Sequence, residues 1–311
     1  MGATGYQSVI GLGTAQWGMK YGVANLTGEP SLNEICDMLE LAHANGISTL
    51  DTARSYGRSE QQIRRALRIS GLSFRVITKL DSKVHLAGDS WNESERKLKA
   101  SVQKSLSAIG VDQLDTLLLH RPENRFAFGG QLWNLLLELR DSGIIRKLGI
   151  SAVTPEDAIT ALSESTVEFI QVASNLLDTR LIKNNFFELA KSKSIEVHIR
   201  STYLQGLAHF DSQTLPEYFN DAKDAFRTIQ AIADVNGVPP FALWLNHSLR
   251  LGCSCVLIGC ESAAQLAYNL KQVEVLRTLQ IESFSELIPT VPNHIIEPVL
   301  WPIKQNTSDF N

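Results

Sequence analysis

Eight short β-branched or leucine-rich runs alternate with longer helical stretches along this chain, and that alternation restricts the fold more than any other feature. The runs cover residues 9–12, 47–50, 74–78, 115–119, 146–150, 167–172, 195–199 and 255–258. Continuous runs such as Thr116-Leu117-Leu118-Leu119 and Cys255-Val256-Leu257-Ile258 are the pattern of parallel strands covered on both faces. The stretches between them carry helix punctuation. Ser31 and Glu34 make a capping box, Ile35, Leu39 and Ala42 share one face, and Gly46 ends the helix. Further helices are predicted over 59–69, 91–108, 129–142, from Pro155 behind Thr154, and over 185–192 and 262–278. The connection between the seventh and eighth runs is too long for one helix. After a loop at Pro216 it holds two, over 222–236 and 239–251. Past residue 289, prolines 292, 298 and 302 mark either an ordered wrap or a frayed end.

Eight strand–helix pairs in 311 residues predict a (β/α)8 TIM barrel closed on itself, with extra helices in the seventh-to-eighth connection and at the C-terminus. The competing doubly wound sheet asks for GxGxxG after its first strand. Here Gly11-Leu12-Gly13 runs into Thr14-Ala15-Gln16, and the third glycine is missing. No linker interrupts the pattern, so one domain over 1–311 is expected, with a C-terminal extension from about 279.

Composition removes several classes. Lys and Arg number 29 against 33 Asp and Glu, a net charge of −4, without the basic excess of a nucleic-acid binder. No apolar run approaches the ~20 residues of a membrane span. The first eight residues lack the basic start and apolar core of a signal peptide. The four cysteines show neither CxxC nor zinc spacing, so no disulfide scaffold and no metal are expected. The expectation is a reduced, cytoplasmic protein that binds no nucleic acid or membrane. Nothing in the chain specifies an oligomeric state.

A barrel of this kind does its chemistry at the C-terminal ends of its strands. Those ends deliver Asp51, Lys79 and His120, and Tyr56 stands in the loop five residues past Asp51. Singly, each has an ordinary reading: a helix cap, a solvated lysine, a structural histidine, a packing tyrosine. Four such groups at one mouth make acid–base chemistry the better reading.

These residues resemble the aldo-keto reductase superfamily, in its bacterial short-loop form, from about residue 9 to residue 269. The resemblance rests on Gly11-Leu12-Gly13-Thr14, on the stretch from Asp51 through Tyr56-Gly57 to Glu60, on Leu119-His120-Arg121-Pro122, on Gly149-Ile150-Ser151, and on the stretch from Leu257 to Asn269. It implies that Asp51, Tyr56, Lys79 and His120 form a catalytic tetrad. Tyr56 would give a proton to a carbonyl oxygen. Lys79, paired with Asp51, would lower the phenol's pKa, and His120 would orient the carbonyl.

The resemblance further implies a nicotinamide cofactor, with a modest lean to NADPH and with NADH second. Its contacts would be Gly13, Thr14, Ala15, Asp51, Ser151, Gln171, Arg200, Ser201, Leu204, Gly206, Gly259, Ser262, Gln265 and Asn269. Ser262, Gln265 and Asn269 fall on one face of the last helix, where capping is the plainer alternative. Three departures stand out. Ala152 replaces an Asn, Arg200 replaces the aromatic ring under the nicotinamide, and Gly259 and Gln265 replace a Lys and an Arg that grip the 2′-phosphate in many relatives. Arg200 is expected either to stack beneath the nicotinamide as a planar cation or to swing into a salt bridge.

Trp17, Tyr21, Tyr56 and His120 are the expected substrate contacts. Arg121 and Arg125, in the loop after His120, read first as solvated loop residues and second as contacts for an anionic or sugar-hydroxyl group. The implied substrate is a small-molecule aldehyde or ketone, sugar-derived ones included. Two other readings stay open. One is a regulatory barrel that holds the cofactor with little turnover. The other is a non-redox isomerase that uses Lys79 or His120 as a base.

Overall fold

The computed structural model describes residues 10–278 and 284–302. Eight parallel strands close into a barrel in sequence order: β1 (Ile10–Gly13), β2 (Thr49–Asp51), β3 (Arg75–Lys79), β4 (Leu114–Leu119), β5 (Ile145–Ser151), β6 (Phe169–Ala173), β7 (Glu196–Arg200) and β8 (Cys255–Gly259). The sheet closes where β1 pairs with β8, Gly13 standing opposite Gly259 on one side and opposite Asp51 on the other. This is the predicted (β/α)8 barrel. All of its strands but β4 end a residue later than the apolar runs suggest, because end residues such as Asp51, Lys79 and Arg200 still pair with their neighbours. The predicted start at Val9 lies outside the described residues.

The helices are α1 (Leu32–Ala44), α2 (Ser59–Ser70), α3 (Trp91–Ile109), α4 (Gln131–Asp141), α5 (Pro155–Leu162), α6 (Arg180–Lys183), α7 (Phe186–Ser192), α8 (Lys223–Asn236), α9 (Pro240–Leu249), α10 (Ala263–Thr278) and α11 (Asn293–Ile296). Some ends carry the chemistry their sequences announce. Thr154 and Asp157 form a reciprocal capping box with Pro155 in the first turn of α5, and Ser90 with Glu93 does the same for α3. The box predicted for α1 forms only by half. Ser31 accepts the Glu34 N–H at 3.2 Å, but Glu34 Oε1 turns away and accepts the Ala263 N–H of α10 at 2.6 Å. The predicted start of α4 at 129 is also corrected. Gly129 and Gly130 adopt φ of +65° and +92°, and the helix begins after them.

The barrel axis holds Ile77, Leu118 and Phe169, all fully buried. A larger apolar layer fills the space between sheet and helices, with Trp244 of α9 among its largest side chains. Burying each such side chain contributes about 1.5–3 kcal/mol. The tail is an ordered wrap as far as residue 302. Trp301 packs edge-on against Phe219 at 4.8 Å and donates its indole N–H to the Ile295 carbonyl at 3.2 Å. Of the predicted C-terminal extension, residues 279–283 and 303–311 lie outside the described residues. Among the described residues no helix is long and apolar enough to cross a membrane.

Candidate active site

Asp51 ends β2, Lys79 ends β3, and the two meet inside the mouth of the barrel. Lys79 Nζ lies 2.7 and 2.9 Å from the Asp51 carboxylate oxygens and 2.9 Å from the Thr52 carbonyl. All three ammonium protons are thereby used. The side chain of Lys79 has no solvent exposure. Burial pulls its pKa down and Asp51 pushes back. From β6, Gln171 Nε2 donates to Asp51 Oδ1 at 2.6 Å. The other end of that amide, Oε1, is buried with no partner among the described residues.

Tyr56 reaches this pair because two backbones come unusually close. A Cβ on Gly18 would stand 2.1 Å from the Tyr56 carbonyl oxygen, and one on Gly57, whose φ is +54°, would stand 2.2 Å from the Gly18 carbonyl oxygen. The tyrosine loop thus lies directly on the β1–α1 turn. Lys79 Nζ is 4.9 Å from the centre of the Tyr56 ring, and the His120 ring meets it edge-on at 6.0 Å. Burial raises the Tyr56 phenol above its usual 10, Asp51 adds to that, and Arg200 opposes it. Arg200 is the cation that acts against that rise, and Lys79 stands close enough to act on the phenolate.

His120 follows β4, with Nδ1 3.0 Å from Ser55 Oγ. Burial first, then the charges of Lys79, Arg200 and Arg121, hold it well below 6.5, so the ring is neutral at pH 7. Tyr21 faces the same space, its phenol raised to about 12 by burial and by Tyr56.

Arg200 ends β7. It donates to the Ala152 carbonyl at 3.0 Å and to Ser201 Oγ at 3.3 Å. Among the described residues its hydrogen-bond partners are therefore neutral, and the salt bridge considered above does not form. The side chain spans from β7 to the end of β5, past Gln171 on the intervening β6, which is fully buried.

A cleft of about 400 Å³ opens over these strand ends. Gly13, Thr14, Ala15 and Asp51 line one wall, and Arg200, Ser201 and Gly206 line another. Gly259, Gln265 and Asn269 line a third side, and Tyr21 and Tyr56 stand at the reactive end.

Other predicted residues sit elsewhere. Trp17 is 1% exposed within the apolar core, its indole N–H on the Cys260 carbonyl, so it does not wall the cleft. Leu204 is likewise core. Ser151, opposite Gln171 in register, is buried below the cleft floor. Ser262 Oγ accepts the Gln265 N–H at 3.2 Å, which is the capping role. Arg125 is 6% exposed, stacked on Phe126 and acted on by the charges of Glu164 and Asp157, and Arg121 pairs with Glu123. Neither arginine lines the cleft.

Sequence reasoning missed an aromatic wall. Phe241 packs against Tyr203, His209 and Tyr268 at 5.9, 5.2 and 5.3 Å, and all four line the cleft with Glu261. They come from the β7–β8 connection and α10, where nothing but their aromatic character marks them.

The residues fit a nicotinamide dinucleotide. The orphaned Gln171 Oε1, fully buried beside Asp51, is an amide acceptor without a partner among the described residues. Gly259 lines the cleft with the Gln16 amide packed against its backbone, where a Cβ would stand 2.4 Å from Gln16 Nε2. Among the described residues no group of His, Cys, Asp or Glu could hold a metal ion.

The Aldo/keto reductase family model matches residues 9–288. The chain belongs to the aldo/keto reductase family. It is 27% identical over 258 residues to an aldo-keto reductase of Mycobacterium marinum, covering 81% of this chain and 80% of that one. It is 26% identical over 237 residues to the methylglyoxal reductase DkgB of Yersinia pestis, covering 76% and 80%. The holo form of the aldo-keto reductase AKR11C1 from Bacillus halodurans shares the fold, with a TM-score of 0.66, 22% identity, and 96% and 94% of the two chains covered. This aldo/keto reductase is therefore an oxidoreductase of a family that reduces carbonyls with a nicotinamide dinucleotide.

Proposed function

We propose that this reductase turns an aldehyde or ketone, sugar-derived carbonyls included, into an alcohol (EC 1.1.1.-) with Tyr56 as the proton donor. The observation that carries the reading is a phenol kept protonated by burial at the reactive end of a cleft, beside a buried Lys79–Asp51 pair. A bound NAD(P)H supplies the hydride. Tyr56 gives its proton to the carbonyl oxygen as charge develops there. The neutral His120 ring carries one N–H that orients the same oxygen. Asp51 fixes Lys79 in place, and the Lys79 charge stabilises the phenolate that Tyr56 becomes. Tyr21 walls the substrate space.

Gly13, Thr14, Ala15, Ser201, Gly206, Gly259, Gln265 and Asn269 would hold the dinucleotide, NADPH or NADH, with Gln171 and Arg200 nearest its reacting ring. Ser151 and Leu204 support that site from below, and Ser262 caps α10. The reading treats 1–311 as one cytoplasmic barrel domain with an extension from about 279.

A second reading, a cofactor-binding barrel with little turnover, is favoured by Arg200, which lies across Gln171 and Ala152. Following reduced nicotinamide absorbance against a panel of aldehydes and ketones separates them. Turnover supports the first reading. Binding without turnover supports the second. No binding overturns both and leaves the non-redox isomerase.

A further inference from the structure

We infer that the adenosine end of this cleft selects NADH over NADPH, and that Glu261 and Glu34 make the selection. The inference rests on the reading of the chain as a nicotinamide enzyme.

NADPH differs from NADH by one phosphate on the adenosine ribose, carrying about −1.5 to −2 charges at pH 7. Holding it takes a cation or unengaged N–H groups. Among the described residues that line the cleft, Arg200 is the one Lys or Arg. It stands at the reactive end, where its charge acts on Tyr56, Tyr21 and His120. The far end, lined by Phe241 and Tyr268, presents the start of α10.

That helix start is already occupied by the protein's own acceptors. The Ala263 N–H donates to Glu34 Oε1 at 2.6 Å, the Gln265 N–H to Ser262 Oγ at 3.2 Å, and the Glu261 N–H to Gln265 Oε1 at 2.8 Å. The Glu34 carboxylate, sent across from α1, sits where an anion would sit. This is the reason the α1 capping box is incomplete. The Glu261 carboxylate lines the cleft itself, with the Thr27 hydroxyl donating to it at 3.4 Å. One carboxylate, Glu261, therefore lines the cleft here, and a second, Glu34, stands on the helix N–H behind it. A ribose 2′-hydroxyl is a donor and suits Glu261. A 2′-phosphate would find two like charges and three engaged N–H groups. The lean to NADPH came from the resemblance alone.

The test is calorimetric titration of the full chain with NADH and with NADPH at one ionic strength, for the parent protein, Glu261→Gln and Glu34→Gln. Glutamine at 34 keeps an acceptor for Ala263 N–H and removes only the charge. The parent is expected to bind NADH at least about tenfold more tightly. Each variant is expected to gain about three- to tenfold in NADPH affinity while NADH moves less than about twofold. Glu261→Gln leaves the α10 cap untouched, so it carries the test if Glu34→Gln weakens the helix. Equal or tighter NADPH binding by the parent overturns the inference, as does a loss of both affinities together in Glu261→Gln. Binding of neither dinucleotide overturns the nicotinamide reading and this inference with it.

Discussion

Two ionic clusters sit inside one barrel, one at each end, and their groups are engaged differently. At the end away from the cleft, Arg75 donates to Asp115 at 2.7 Å, to Thr116 at 2.9 Å, and to Glu196. Lys147 and His198 each stand 3.0 Å from Glu196, and Arg146 pairs with Asp115. Every charged side chain named there has a partner of opposite sign or, for His198, a carboxylate. At the cleft end Lys79 is as fully engaged, but among the described residues Arg200 has neutral partners and Gln171 Oε1 has none. The first cluster closes the barrel floor. The second keeps hydrogen-bonding and charge capacity that the protein itself does not use, and that surplus is what marks a site.

The comparison breaks most visibly at Lys79. Lys79→Met leaves Asp51 buried without its cation. It should cost about 3–5 kcal/mol in denaturant unfolding and about 10²–10⁴-fold in turnover. A stability loss under about 1 kcal/mol would show that the pair is not the buried contact described here. Glu196→Gln should divide the two effects. It should cost about 1–3 kcal/mol of stability while turnover stays within about threefold. Burial opposes ionisation of Glu196, but hydrogen bonds from His198, Arg75 and Lys147 outweigh it and hold the carboxyl below 4.5. Its stabilisation is therefore complete above the unfolded-state pKa and fades as pH falls through the lower folded value. Urea midpoints measured down the acid range should fall for the parent and less for the Gln variant.

A smaller effect concerns pH and activity. With Tyr56 protonated and His120 neutral, kcat should vary by less than about twofold between pH ~6 and ~9. An inflection near ~6.5 would mean that His120 titrates. A further contrast is Arg200→Tyr. The oxidised nicotinamide is cationic and the reduced one neutral, so removing the guanidinium should shift the ratio of their affinities about three- to fivefold towards the oxidised form. An unmoved ratio would place Arg200 away from the ring.

The barrel was legible because a buried parallel strand needs an apolar run, and a run such as 255–258 has no other easy home. The meeting of Asp51, Lys79 and His120 at one mouth was legible because they stand at or just past strand ends, with Tyr56 five residues beyond Asp51. What escaped was set by contacts across the fold. Trp17 reads as a pocket wall by position, yet its neighbours in space belong to the core. Glu34 reads as half of a capping box, yet α10 comes close enough to take its carboxylate. Arg200 finds a backbone carbonyl on β5, and no sequence pattern records a carbonyl as a partner. The aromatic wall is assembled from segments far apart in the chain, so its four rings look unrelated until the barrel closes.

The central claim is that Tyr56 supplies the proton at the reactive end of the cleft. Tyr56→Phe removes one hydroxyl and little else. Single-turnover oxidation of bound reduced cofactor by an aldehyde, measured beside the dinucleotide Kd, tests it directly. The account expects Kd within about threefold of the parent and a chemical step slower by about 10²–10⁴-fold. A chemical step within a few-fold of the parent, with the cofactor still bound, would contradict it.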